Sequence, residues 1–329
     1  MLIQAFLVGL AVAALAVAQP SPIFKSDVSL VEVDVGVQRK GTGEPISDLT
    51  LSDFLVIQDG HEQKLTACDF AMTPIDLVVL ADVSGSVVQE VRRLAGLAER
   101  ILARSLKRDD RIAIVTFSSN IKVVSSWTSD HERALASLQS ALDRVSRVES
   151  GTRLFEAVSR AASLFDVPRP TGRRRAILVL SDDKDGKQKP SEAQTLAAVL
   201  EADATVFGVL LPSSEAWQHS QKNVVLLPIP GVPPLVSDKI SGRSQRSYRS
   251  IARIVEESGG DLIVTARDEE ALVTALDRIR LRYLLAYYPN PSIRPGQTVL
   301  VQIKLSTEAT VQHSDALVRH RTVVTAPNR

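Results

Sequence analysis

Between residues 74 and 281 the chain alternates two rhythms of apolar residues, and this alternation constrains the fold more than any other feature. Leu77-Val78-Val79-Leu80-Ala81 is a continuous apolar run, as a strand covered on both faces requires. Residues 88–106 then carry Val91, Leu94, Leu97, Ile101 and Leu102 on one helical stripe. Strand-like runs recur at 111–117, 176–180, 205–211 and 261–264, with a short edge candidate at 121–127. Helical patterns fall at 130–145, 154–165, 248–257 and 269–281, and a Pro-rich loop occupies 227–234. Strands alternating with helices predict a doubly wound, mainly parallel α/β sheet.

The flanks read differently. In residues 27–38, Val31, Val33, Val35 and Val37 share one face with Glu32 and Asp34 between them, the period of a half-buried strand. A second strand is expected at 53–57, a tight turn at Asp59-Gly60, and a returning strand at 63–70. The tail has strand-like stretches at 283–288, 298–305 and 315–324. The head is too short to bury a core alone. Head (19–73) and tail (282–329) strands are therefore expected to pair into a smaller β-sandwich, with the α/β domain (74–281) inserted between them.

Residues 1–18 are almost wholly apolar, and Ala16-Val17-Ala18 before Gln19-Pro20 fits a cleavage site, although the n-region has no Lys or Arg. The expectation is a cleaved signal peptide, with a transmembrane anchor as the alternative for a run barely long enough to span a bilayer. Cleavage implies an exported protein, periplasmic or outside the cell, with no stable membrane span afterwards. With 44% hydrophobic and 23% charged residues and a net charge of +1, no global field draws the chain to nucleic acid or anionic lipid. Partner choice falls to a local site. The single cysteine, Cys68, excludes an intramolecular disulfide and reads as a small apolar strand residue.

In open α/β sheets ligands bind beyond the carboxyl ends of strands, where strand order reverses. Asp82 ends the first α/β strand, and Ser84 and Ser86 follow it. Asp182 ends the 176–180 strand, and Thr152 lies in a loop that opens a helix. Asp, Ser and Gly are also common turn residues, and Thr also caps helices. Five hard oxygen donors at one crevice suit Mg²⁺ or Mn²⁺ rather than zinc or copper.

Asp82-x-Ser84-x-Ser86, Thr152 and Asp182, with Asp110-Arg111-Ile112-Ala113-Ile114-Val115-Thr116-Phe117-Ser118 between, resemble the metal-ion-dependent adhesion site of von Willebrand factor A-type domains. The flanking Asp53-Phe54, Asp59-Gly60 and Tyr283-Leu284-Leu285-Ala286-Tyr287-Tyr288-Pro289 resemble an exported bacterial branch carrying such domains. The resemblance implies a non-enzymatic binding mechanism. Ser84, Ser86 and Thr152 would ligate through hydroxyls, and Asp82 and Asp182 directly or through water. A protein partner would supply an acidic side chain to the ion.

One position departs from the family pattern: Asp183 stands where glycine is usual. It either adds a carboxylate near the ion, strengthening cation binding while repelling an acidic partner, or turns to solvent. The alternative function is an interaction or scaffold module with a degenerate metal site, binding through the β-sandwich or the 212–247 loop. A metal-assisted hydrolase ranks third. No phosphate loop, dinucleotide fingerprint or Gly-x-Ser-x-Gly elbow is present, and none of the five histidines falls at the expected crevice. Arg173-Arg174-Arg175 reads as a solvated turn.

Overall fold

The computed structural model describes residues 30–145, 151–165, 172–183, 189–211, 251–264, 268–290, 292–294 and 296–326. The segment read as a signal peptide and the 212–247 loop lie outside the described residues. The head supplies β1 (Val31–Arg39), β2 (Phe54–Gln58), β3 (His61–Gln63) and β4 (Leu65–Phe70). The middle runs β5 (Ile75–Asp82), α1 (Val88–Ser105), β6 (Arg111–Phe117), β7 (Ile121–Thr128), α2 (His131–Asp143), α3 (Leu154–Ala162) and β8 (Arg174–Ser181). It continues with α4 (Glu192–Glu201), β9 (Thr205–Leu210), α5 (Ala252–Glu257), β10 (Leu262–Val264) and α6 (Asp268–Arg280). The tail adds β11 (Tyr283–Tyr287), β12 (Thr298–Leu305), α7 (Thr307–Gln312), β13 (Ala316–His320) and β14 (Val323–Thr325).

The middle forms a six-stranded sheet ordered β10-β9-β8-β5-β6-β7. All its pairings are parallel except the antiparallel edge strand β7. Every residue of β5 is buried, which explains its unbroken apolar run. Leu77 and Val79 point into the layer of α1, α2 and α6, whereas Val78 and Leu80 point into the layer of α3, α4 and α5. On α1, Val91, Leu94, Ala98 and Ile101 face the sheet. The fold is the doubly wound α/β arrangement that the sequence predicts.

Head and tail strands interleave in two four-stranded antiparallel sheets, β13-β1-β11-β4 and β14-β12-β2-β3. Val33 of β1 lies opposite Leu285 of β11, and Val56 of β2 opposite Ile303 of β12. The four valines of β1 face one core with Phe54, Val56, Tyr283, Tyr287, Val299, Val301 and Ile303. Asp59 and Gly60 form the β2–β3 turn with φ of 47° and 81°, a conformation that Gly and Asp tolerate. Cys68 packs partly buried against this core, and burial pushes its thiol up to about 11.

Five features differ from the sequence reading. The stretch 63–70 is two strands in different sheets, broken at Lys64, because Leu65 turns inward opposite Tyr287. The stretch 315–324 likewise divides: Arg321 is buried, donates to Glu32 O at 2.7 Å and pairs with Asp203. Helices α4 and α7 have no counterpart in the sequence reading, although Ser191 and Gln194 form a capping box at α4. Arg174 and Arg175 are not a solvated turn but buried residues of β8. Arg175 donates to Ala202 O at 2.7 Å and stacks over Phe165.

Arg174 joins the two halves of the molecule. Its Nε donates to Asp34 Oδ1 at 2.5 Å, and Arg282 Nε donates to Asp34 Oδ2 at 2.5 Å. Other guanidinium N–H groups donate to carbonyls: Arg174 to Ile279, Arg280 and Arg282, and Arg282 to Gly259 at 2.9 Å. Burial alone would raise the Asp34 pKa, but Arg174 and Arg282 overcome it and hold the carboxyl below its usual range. Gly36 leaves room for this cluster, since a Cβ there would lie 2.5 Å from Arg282 Nη1. All of these contacts lie at the amino end of the α/β sheet. The sandwich is thus docked about 23 Å, by strand rise, from the carboxyl end of β5.

Breaking a buried ion pair from one side strands the other charge. Asp34→Ala is expected to lose about 3–5 kcal/mol in urea unfolding. A loss below about 1 kcal/mol would show that the carbonyls alone satisfy both guanidiniums.

Candidate functional site

Among the described residues the sandwich meets the six-stranded sheet at its amino end, and the sheet's topological switch point lies between β5 and β8. The chain leaves β5 for β6 on one side and later returns to β8 on the other. Asp82 ends β5 and is fully buried. Its Oδ1 accepts from Ser84 N at 2.9 Å, and its Oδ2 accepts from Ser181 Oγ at 2.6 Å across the switch point. Val83 N donates to Phe117 O at 2.8 Å, which ties the loop to the end of β6. Ser84 O accepts from Val88 N at 3.0 Å, so the loop runs directly into α1. The hydroxyls of Ser84 and Ser86 lie 3.3 Å apart.

The other expected ligands lie on the same edge. Thr152 is buried just before α3, and its neighbour Arg153 donates its backbone N–H to Ser118 O at 3.0 Å, beyond the end of β6. Gly151 carries φ 104°, which gives the turn into this loop. Asp182 is buried immediately after β8. Hydrogen bonds therefore bring Asp82, Ser84 and Ser86 into one group with the end of β8, and Thr152 enters the edge through the end of β6.

Asp183 does not turn to solvent. It is fully buried at φ 58°, and its Oδ1 accepts from Ile251 N at 3.0 Å. The left-handed backbone explains why glycine suits this position, and Asp is among the few other residues that adopt it readily. Ser181 is the residue of this candidate site that sequence reasoning passed over. Its Oγ donates to Asp82 and accepts from Asp183 N at 3.1 Å. The signal for it was present, as a lone hydroxyl closing an apolar strand at the switch point.

Burial pushes the Asp82 carboxyl up to about 6, with hydrogen bonds from Ser181 and Ser84 opposing and the Asp182 charge adding to the rise. Among the described residues, no group of three or more His, Cys, Asp or Glu side chains is placed to hold a metal. Of the described histidines, His131 lies at the opposite end of the sheet, where its Nε2 meets Asp110 O at 3.1 Å. His320 belongs to the sandwich, where its Nε2 accepts from Ile303 N at 3.1 Å.

The doubly wound sheet defines the class of fold, and hydroxyls and carboxylates gather at its switch point, the place where open α/β sheets bind ligands. Residues 77–186 match the model of the von Willebrand factor type A domain. The chain is similar in structure to an aerotolerance-related membrane protein from Bacteroides fragilis, at 17% identity and a TM-score of 0.42, over 62% of this chain and 98% of that one. It is similar to BatB from Bacteroides thetaiotaomicron, at 19% identity and a TM-score of 0.41, over 62% and 97%. A von Willebrand factor type A protein from Catenulispora acidiphila matches at 12% identity and a TM-score of 0.43, over 92% and 75%. No curated protein matches the chain.

An acid whose folded pKa is raised binds a proton on folding. Its contribution to cation-free stability is therefore greatest in acid and declines as pH rises. For Asp82 the window runs from about pH 4 to about 6, with a decline of up to about 3 kcal/mol. Asp82→Asn, which cannot ionise, is expected to lack this decline and to be at least as stable as wild type at pH 8 without divalent cation. Urea unfolding across pH 4–8 measures the difference, and superimposable profiles would refute the assignment.

Proposed function

We propose that this protein binds a partner protein through a divalent cation, Mg²⁺ or Mn²⁺, held by Asp82, Ser84, Ser86, Thr152 and Asp182. The observation that carries the proposal is the desolvated Asp82 carboxylate at the switch point, with the Ser84 and Ser86 hydroxyls beside it. A carboxylate whose ionised form is disfavoured by burial gains from a cation. The donors are hard oxygens, which fits Mg²⁺ or Mn²⁺. When bound, the ion supplies an electrophilic position that an acidic side chain of the partner can fill.

The chain's own residues prepare that position. Ser84 N and Ser181 Oγ orient Asp82, and the start of α1 fixes the Ser84 loop. Asp183 directs Oδ1 to the Ile251 amide, which supports a role beside the ion rather than on it. Among the described residues, the sandwich is docked at the amino end and not at the carboxyl edge proposed to meet the partner. We read the protein as a non-enzymatic interaction module. Export to the cell envelope or beyond rests on the apolar segment 1–18. Among the described residues no helix is long and apolar enough to cross a membrane.

Calorimetric titration with Mg²⁺ and Mn²⁺ tests the cation. Wild type should bind and, at a hundredfold excess over Kd, gain on the order of 5 °C in Tm, whereas Asp82→Ala should do neither. If both proteins have the same Tm with and without metal, the site is degenerate and binding falls to the sandwich or the 212–247 loop. Capture from envelope extract that chelator abolishes would identify the partner as cation-dependent.

A further inference from the structure

Ile251 precedes α5 and is buried among Leu154, Val158, Val179 and Val206. A buried backbone N–H needs an acceptor, and the one it finds is 68 positions away, at Asp183 Oδ1. Asp183 N in turn donates to Ser181 Oγ, Ser181 donates its only hydroxyl proton to Asp82 Oδ2, and Ser84 N donates to Asp82 Oδ1. An unbroken series of hydrogen bonds therefore runs from the Ser84 loop across the switch point to the start of α5.

We infer that Asp183 is a positioning residue that couples cation occupancy at Asp82 and Asp182 to the seating of Ile251 and α5, an inference that rests on the cation reading above. Asp182 is its chain neighbour and Asp82 lies one hydroxyl away, so a bound cation relieves like-charge repulsion on the Asp183 carboxylate. That relief favours the single arrangement in which the carboxylate holds the Ile251 amide. Coupling between two equilibria is reciprocal. Whatever presses α5 into its seat therefore tightens the cation by the same factor, which gives a partner contacting α5 control over the metal site. Glycine at this position would permit the same backbone turn, at φ 58°, without the link.

Hydrogen exchange of peptides covering 251–257, with Mg²⁺ and with chelator, tests this in the full chain. Asp183→Gly suits the left-handed backbone and removes the acceptor, whereas Asp183→Asn keeps an acceptor oxygen. In wild type, Mg²⁺ should slow exchange of these peptides by roughly fivefold or more. Asp183→Asn keeps the bond but carries no charge to relieve, and Asp183→Gly loses the bond, so both should lose that effect while still binding Mg²⁺ by calorimetry. Mg²⁺ binding with no change at 251–257, or an equal change in Asp183→Gly, overturns the coupling alone. Absence of Mg²⁺ binding in wild type overturns both the coupling and the cation reading.

Discussion

The Asp34 carboxylate between two buried guanidiniums is the contact on which the arrangement of the molecule depends. Each oxygen receives one Nε–H, from Arg174 of β8 and from Arg282 just before β11. Further guanidinium N–H groups donate to carbonyls at the end of α6 and before β10, leaving little freedom for the sandwich to shift on the α/β sheet. Buried ion pairs contribute little net stability compared with apolar packing, because desolvation offsets attraction. Their effect is geometric: a misdocked sandwich would leave three charges buried without partners. Docking specificity thus comes from the penalty on every other arrangement.

The two ends of the six-stranded sheet treat buried carboxylates in opposite ways. At the amino end, Asp34, Asp76 and Asp110 each meet guanidinium groups, and Asp110 also accepts from Ile75 N at 2.7 Å. At the carboxyl end, Asp82 is held by Ser181 Oγ and Ser84 N, neutral donors that orient it without compensating its charge. The same desolvation that Arg174 and Arg282 overcome at Asp34 prevails at Asp82 and raises its pKa. Fixed charge at one end is structural. At the other end the Asp82 charge meets only neutral donors, the arrangement that the proposed cation would complement.

Much of this was legible in the sequence because it is written in short-range periodicity. The unbroken run ending at Asp82 encodes a strand covered on both faces, and the alternating valines of β1 encode a half-covered one. Strand ends followed by Asp, Ser and Thr place the candidate site once the sheet is doubly wound. What periodicity could not carry were residues whose partners are distant in sequence. Arg174 lies 140 positions from Asp34, and nothing around Arg173-Arg174-Arg175 distinguishes a buried cluster from an exposed turn. The strand breaks at Lys64 and near Arg321 have the same origin, since both mark places where the chain changes sheet to satisfy remote partners.

Asp183 joins local and long-range constraints at one residue. Locally its backbone must be left-handed, a requirement that glycine meets without strain and aspartate meets at modest cost. Its side chain then accepts from an amide 68 positions away, on the element that enters the sheet's second helical layer. Aspartate is short enough to stay within the loop and carries the acceptor that glycine lacks. Asn would satisfy the same geometry with a neutral oxygen, so the charge itself is the part the fold does not require. A charge the fold does not require, buried next to Asp182 and one hydroxyl from Asp82, makes this end of the sheet more electronegative and thereby ties the packing of α5 to whatever neutralises the site.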